Sequence, residues 1–387
     1  MTLHNTVETM KKAGVGGIIG VITIIFCVIL FRVGVFIKDI IDPPKIIPPT
    51  VAYDLLPALQ FPKDAVSSDL TYTLNTLTGE LPEFPDRLVI YPLVEEKENF
   101  LNLDKAKAKV AALGFVSPEG SPIPEIPLGN ASYEWDEQTG IARKIIFNTV
   151  NFDFKLNSDY QTSLNALGAQ HLSNQKSAIT TARSFLETVE LLPEDLDIEK
   201  TENPEKEINY VTAPQLFSID KNVGTLIPAT SLAQANVIRV EFYQKDMEYK
   251  LDTGNPKEQY VDMKLPILYP HPPYSTMSFW IASGATNAQV VAANYVHHSI
   301  VLPAEGDVEP AATYPIKTAK EAFEELKEGQ GYIAAYGKTD TSILINNVYL
   351  AYYLGEEKQK YLMPVMVFEG DGGFFAYVSA VKSDWIQ

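Results

Sequence analysis

The five histidines of this 387-residue chain, His4, His171, His271, His297 and His298, are the first residues to test for chemistry. Histidine titrates near neutrality and is the commonest metal ligand. His297 and His298 are adjacent in "ANYVHHSIV", which reads as a strand. Strand neighbours point to opposite faces, so the pair is poorly placed to grip one ion together. His271 lies in the proline-rich turn "YPHPPYS", and His4 in the N-terminal tail. The sequence has no G-x-S-x-G elbow, no S-x-x-K with its β-lactamase companions, no Walker-type phosphate loop and no H-E-x-x-H. "DLDIEKTENPEK", from Asp195, begins like a calcium loop, but Lys200 stands where glycine is needed and Lys206 where the closing glutamate is needed. The single cysteine is Cys27. After it, a disulfide, a cysteine zinc cluster and a cysteine nucleophile are all excluded. Asn130-Ala131-Ser132 forms a glycosylation sequon, a pattern common by chance.

No catalytic, cofactor-binding or metal-binding residue is therefore expected, and no cofactor. The chain reads as non-enzymatic. The alternative is a hydrolase whose site gathers His271 or His297 with carboxylates from distant segments; a third reading is a passive spacer.

Two patterns point to contacts instead. Tyr349, Tyr352 and Tyr353 fall on one strand-like run, with Tyr349 and Tyr353 on one face and Tyr352 on the other. Sheet packing explains them simply, and they are also candidates for a partner face, since tyrosine is favoured at interfaces. Gly16 and Gly20 form a G-x-x-x-G, a spacing that lets two helices approach closely. They are candidates for helix–helix contact and for a homodimer through that helix. "VFEGDGGFFAYV", from Val367, reads as a hairpin whose carboxylates Glu369 and Asp371 sit at a glycine-rich tip.

The elements that would carry these residues follow from charge and periodicity. The net charge is −18. Lys11, Lys12, Arg32, Lys38 and Lys45 outnumber Glu8, Asp39 and Asp42 near the N-terminus, so the excess negative charge belongs to the rest of the chain. Such a domain repels phosphate backbones, which excludes nucleic acid as the expected partner. Ala13 to Phe31 runs without a charge. As a helix it covers roughly 28 Å, enough to cross a hydrocarbon core. The expected order is a short cytoplasmic tail (1–12), a transmembrane anchor (13–37) and a proline-rich linker (38–50) containing Pro43, Pro44, Pro48 and Pro49. An extracytoplasmic part would follow, at the cell membrane.

Helical stripes recur three times: Ala106, Val110 and Leu113; Ile179, Ala182, Leu186 and Val189; Ala319, Ala322, Phe323 and Leu326. Gly114 and Gly329 are fitting stops. Strand-like segments accompany each stripe. The expected fold class is α+β: one transmembrane helix, then strand-rich antiparallel sheet domains, each carrying a helix, over 51–168, 169–312 and 313–387.

The last of these, "IKTAKEAFEELKEGQGYI" followed by "VYLAYYL" and "YLMPVMVFEGDGGFFAYV", resembles the PepSY-like unit. An anchor helix followed by several such units looks like the YycH/YycI class of membrane-anchored regulators. The resemblance implies a non-enzymatic protein that contacts a protein, peptide or cell-wall partner and so regulates a membrane sensor or wall enzyme, and it transfers no site residue.

Overall fold

The computed structural model describes residues 27–28, 32, 47–63, 70–138, 141–162, 174–206, 210–220, 222–255, 258–283, 288–302, 312–337 and 340–387. Its strands, in chain order, begin with β1 (Thr71–Leu74), β2 (Arg87–Val89), β3 (Tyr91–Pro92), β4 (Ile126–Gly129), β5 (Ser132–Glu137), β6 (Arg143–Asn148) and β7 (Phe154–Ser158). Then come β8 (Leu196–Asp197), β9 (Gln215–Ile219), β10 (Leu226–Pro228), β11 (Val237–Gln244), β12 (Met247–Asn255), β13 (Glu258–Leu265), β14 (Ile267–Leu268), β15 (Met277–Ser283) and β16 (Ala288–Tyr295). The last are β17 (Thr313–Pro315), β18 (Tyr332–Ala335), β19 (Ser342–Tyr353), β20 (Tyr361–Gly370) and β21 (Phe374–Ser379). Helices are α1 (Asn102–Ala112), α2 (Gln175–Thr188), α3 (Ile198–Glu202) and α4 (Ala319–Lys327).

The anticipated stripes fall on buried helix faces, except that Leu113, past the end of α1, is half-buried and Val189, buried, lies just past the end of α2. In α4, Ala319, Ala322, Phe323 and Leu326 are all buried, and the helix opens with a capping box between Thr318 and Glu321. In α2, Ala178, Ile179, Ala182 and Leu186 are buried, and the Asn174 side chain accepts from the Ser177 N–H.

The expected division into domains requires correction. Strands from 51–168 and from 169–312 share one ten-stranded sheet, ordered β10-β9-β11-β15-β16-β7-β6-β5-β4, with β8 paired to β11. The junction is β16 against β7, where Tyr295 lies opposite Phe154 and Ala293 opposite Leu156. Helices α1 and α2 contribute to the same core: Ala106 and Val110 cluster with Ala182, Leu186, Ile145, Phe242 and Phe279. Neither stretch could close that core alone, which is why the two do not separate.

The second large sheet has the order β1-β19-β20-β21-β18, with β14 and β3 also paired to it. Its β19–β20–β21 meander and α4 come from 313–387, as expected. However, β1 joins it in parallel from residues 71–74, β3 pairs with β20, and β17 pairs with β2. The C-terminal segment is therefore not self-contained. The "EGDGG" stretch connects the two strands as anticipated, but only Asp371 lies in the turn: β20 ends at Gly370, a 3-10 turn spans Asp371–Gly373 and β21 begins at Phe374, whereas Glu369 is a buried residue of β20 and not a tip residue.

Both large sheets belong to one compact unit, residues 49–248 with 264–387. A separate unit comprises residues 1–48 with 249–263. Its described part is mainly the outer portion of the β12–β13 ribbon, with Lys250 and Asp262 3.9 Å apart.

The transmembrane anchor is also corrected. Among the described residues no helix is long and apolar enough to cross a membrane. The membrane-anchored fold, the single-pass placement and the membrane localisation built on it therefore have no spanning element among the described residues. Most of 13–37, Gly16 and Gly20 included, lies outside the described residues.

Candidate functional site

Alternation along the central strands of the ten-stranded sheet places two chemistries on its two faces. Ile238, Val240 and Phe242 of β11, Phe279 and Ile281 of β15, and Ala293 and Tyr295 of β16 face the helices and join the core. The intervening residues, Arg239, Glu241, Ser278, Trp280, Ala292 and Asn294, point the other way. Pairing sets them in rows. Arg239 is opposite Trp280, which is opposite Ala292. Glu241 is opposite Ser278, Ser278 opposite Asn294, and Asn294 opposite Lys155.

All of these but the buried Glu241 line a groove of about 730 Å³, completed by the loop before β15. That loop is tied down. The Tyr243 hydroxyl donates to the Pro273 carbonyl at 2.7 Å and accepts from the Thr212 N–H at 3.1 Å. The anchoring brings the Tyr274 ring against Arg239, whose guanidinium carbon lies 4.0 Å from the Tyr274 ring centre and 4.9 Å from that of Trp280. Contact with aromatic faces stabilises a guanidinium.

Glu241 fixes this arginine. It is 1% exposed. One carboxylate oxygen accepts from Arg239 Nε at 2.5 Å. The other accepts from the Ser275 N–H at 3.0 Å, Ser275 Oγ at 3.2 Å and Ser278 Oγ at 2.7 Å. Burial pushes the Glu241 carboxyl above its ordinary pKa, and the Arg239 charge and the serine hydrogen bonds oppose that shift. Arg239 Nη2 also donates to Ser278 Oγ at 3.4 Å. The guanidinium carries five N–H donors, and these contacts engage its Nε and one Nη2 position. Its side chain is 20% exposed, so the remaining edge opens on the groove. Ser275 and Ser278 hydroxyls are turned to the Glu241 carboxylate, which makes them positioning groups and not activated nucleophiles.

Among the anticipated chemical residues, His271 lines the groove together with Glu356. His297 lies elsewhere: its Nε2 is 2.9 Å from Asp195 Oδ1, whose other oxygen accepts from Gln244 Nε2 at 2.6 Å. Burial pushes the Asp195 carboxyl up, but the His297 and Gln244 contacts outweigh it and leave its pKa below the ordinary value. The His297 N–H also donates to Asp153 at 3.3 Å, and burial raises the Asp153 carboxyl to about 7. His298 turns instead to the Gly355 carbonyl, 3.0 Å away, and burial lowers its pKa. His4 and His171 are outside the described residues. Among the described residues no three His, Cys, Asp or Glu side chains are grouped to hold a metal ion.

The tyrosine partner face requires correction. Tyr352 and Tyr353 are fully buried. The Tyr352 hydroxyl donates to the Val89 carbonyl at 2.8 Å, and Tyr353 packs on Phe61 and Tyr377. Tyr349 is half-buried, and its hydroxyl is enclosed without a hydrogen-bond partner among the described residues. The face of Tyr349 and Tyr353 is covered by the chain itself, through Phe61, Tyr269 and Pro270, with Tyr377 and Tyr332 hydroxyls donating to the carbonyls of Tyr269 and Pro270, and Tyr352 on the other face packs on Tyr91.

Of the groove's lining, His271 was expected to carry chemistry, whereas Arg239, Tyr274 and Trp280 were not. A signal existed in "VIRVEFYQ": Arg239 and Glu241 alternate with three apolar residues, so a strand there must present both charges on one face.

No protein-family model matches the chain, and no curated protein matches it. Among solved structures, the chain is similar to an uncharacterized protein from Eubacterium rectale, at 12% identity and a TM-score of 0.30, over 76% of this chain and 85% of that one. Its description names neither a PepSY nor a YycH/YycI protein.

Proposed function

We propose that this chain is a non-enzymatic binding protein and that the groove on the face of the ten-stranded sheet opposite α1 and α2 receives its partner, a protein or peptide segment. The observation that carries the reading is the preorganised arginine. Arg239 is held at 2.5 Å by the buried Glu241 and rests on Tyr274 and Trp280, with part of its surface open to the groove. A donor fixed before binding loses little freedom when a ligand arrives, and that favours affinity. The groove's size is in the range of ligand pockets, and its mixture of aromatic and polar walls is typical of them.

The test is to probe peptide and glycan arrays with the full chain, with Trp280→Ala and with Tyr274→Ala. Retained circular dichroism and melting temperature would qualify each variant. The reading expects peptide hits that both variants lose. Hits that survive both substitutions would place binding elsewhere, and an array without hits would favour a passive spacer.

A further inference from the structure

The groove is less acidic than the molecule around it: Glu356 in its lining and the buried Glu241 beside Arg239 balance its two cations, whereas the whole chain is strongly acidic. The chain carries a net charge of −18, yet two cations, Lys155 and Arg239, line this one groove. Arg239 is neutralised in part by Glu241, but its outer N–H groups are not turned to that carboxylate. Lys155 is exposed on β7 and forms no ion pair among the described residues. Glu356 and His271 are the other titratable groups of its lining besides Tyr160 and Tyr274.

Position adds a length. Arg239 stands on β11 and Lys155 on β7, with β15 and β16 between them. Three strand spacings and a two-residue offset along the strands separate their backbones by roughly 16 Å, a span covered by about five residues of extended peptide. Between the two cations lie Trp280, Ala292 and Asn294, which offer an apolar floor and one amide.

We infer that the ligand of this groove is an acidic peptide segment lying across the strands, one carboxylate on the outer edge of Arg239 and another on Lys155. This rests on the groove being the binding site and specifies what it takes. Arginine's planar fork matches a carboxylate, and lysine supplies a second, less directional charge. The segment's negative charge also explains why the site must be a local exception: over most of this acidic surface such a ligand is repelled.

The experiment uses the full chain labelled with ¹⁵N and follows the indole N–H signal of Trp280, assigned with Trp280→Phe. The probes are acetyl-tetraglutamate amide, its tetraglutamine counterpart, and inorganic phosphate. The expected result is a saturable Trp280 shift with tetraglutamate that weakens as salt is raised. Tetraglutamine should bind at least tenfold more weakly, and Lys155→Ala should weaken tetraglutamate about fivefold without altering the unliganded spectrum beyond its neighbours. Lys155→Glu should weaken it further. If tetraglutamine binds as tightly as tetraglutamate, the acidic assignment fails while the groove stands. If phosphate shifts Trp280 at the same concentrations as tetraglutamate, the peptide assignment fails. If no probe moves Trp280, both this inference and the proposed site fail.

Discussion

At the scale of single residues, two buried carboxyls make opposite demands. Glu241 is enclosed with its countercharge, so Arg239→Ala strands it without one. Breaking a buried pair in this way costs roughly 3–5 kcal/mol. Glu241→Gln should cost less, because a neutral amide is cheaper to bury and keeps acceptors for Ser275 and Ser278. Urea unfolding of the two variants tests the order, and a milder Arg239→Ala would contradict it. Asp153 is different: its pKa is raised from 3.8 to about 7 on folding. The folded chain then holds a proton that the unfolded chain releases, so this residue's contribution to stability is complete below about pH 4 and declines as pH rises towards 7. Asp153→Asn removes that loss. Its melting temperature should exceed that of the parent by several degrees at pH 8 and by roughly a third as much at pH 5, as read by calorimetry at both pH values. Chemistry at this scale was only partly visible in the sequence. The failure of each known motif could be read directly, but the fourfold enclosure of Glu241 depends on a loop from residue 275 meeting a strand at 241, which no local spacing encodes.

At the scale of elements, local rules were obeyed closely enough to be read in advance. The stripe of α4 and its stop at Gly329 are both present, because a short helix with one apolar face has only one way to bury it. Thr318→Ala should lose about 1 kcal/mol by removing the cap of α4, while Thr318→Ser stays within a few tenths. Chemical denaturation of the two variants compares them. The glycines of the β20–β21 turn separate two kinds of constraint. A Cβ on Gly370 would sit 2.8 Å from the Leu344 carbonyl oxygen, whereas one on Gly373 would meet nothing within 4 Å but stand at φ +74°. Gly373→Ala should therefore cost about 1 kcal/mol, the penalty of a left-handed backbone. Gly370→Ala should cost more, since a strand must move, and equal melting temperatures would refute the distinction. The tyrosines of β19 show where element-level reading ended: their alternation was correct, but what covers one face comes from residues 61 and 269–270 and the other from residues 89–91, far away in the chain.

At the scale of the whole molecule, sheet partnership overrides the order of segments. A fragment of residues 51–168 would carry β4–β7 without β16 and would leave Phe154 and Leu156 without their partners. A fragment of residues 313–387 would lack β1, β3 and β14 from its sheet. Neither should give a dispersed amide spectrum or a cooperative melt when expressed alone, whereas independent repeats would do both. Three helix-and-strand segments of similar pattern were legible in the sequence; their interleaving was not. Pairing over long separation depends on which buried faces match in three dimensions, and periodicity reports only that a face exists.

The pairing of β1 with β19 has a consequence during synthesis. Thr71 must wait for Ser342 to leave the ribosome before its strand has a partner. With elongation near 5–20 residues per second, that delay lasts from roughly fifteen seconds to about a minute. Throughout it, the nascent chain displays an unpaired edge and the apolar residues of β2 and β3. This is the interval in which a holdase would have most to protect, and in which a slowed message would most readily be degraded or aggregate.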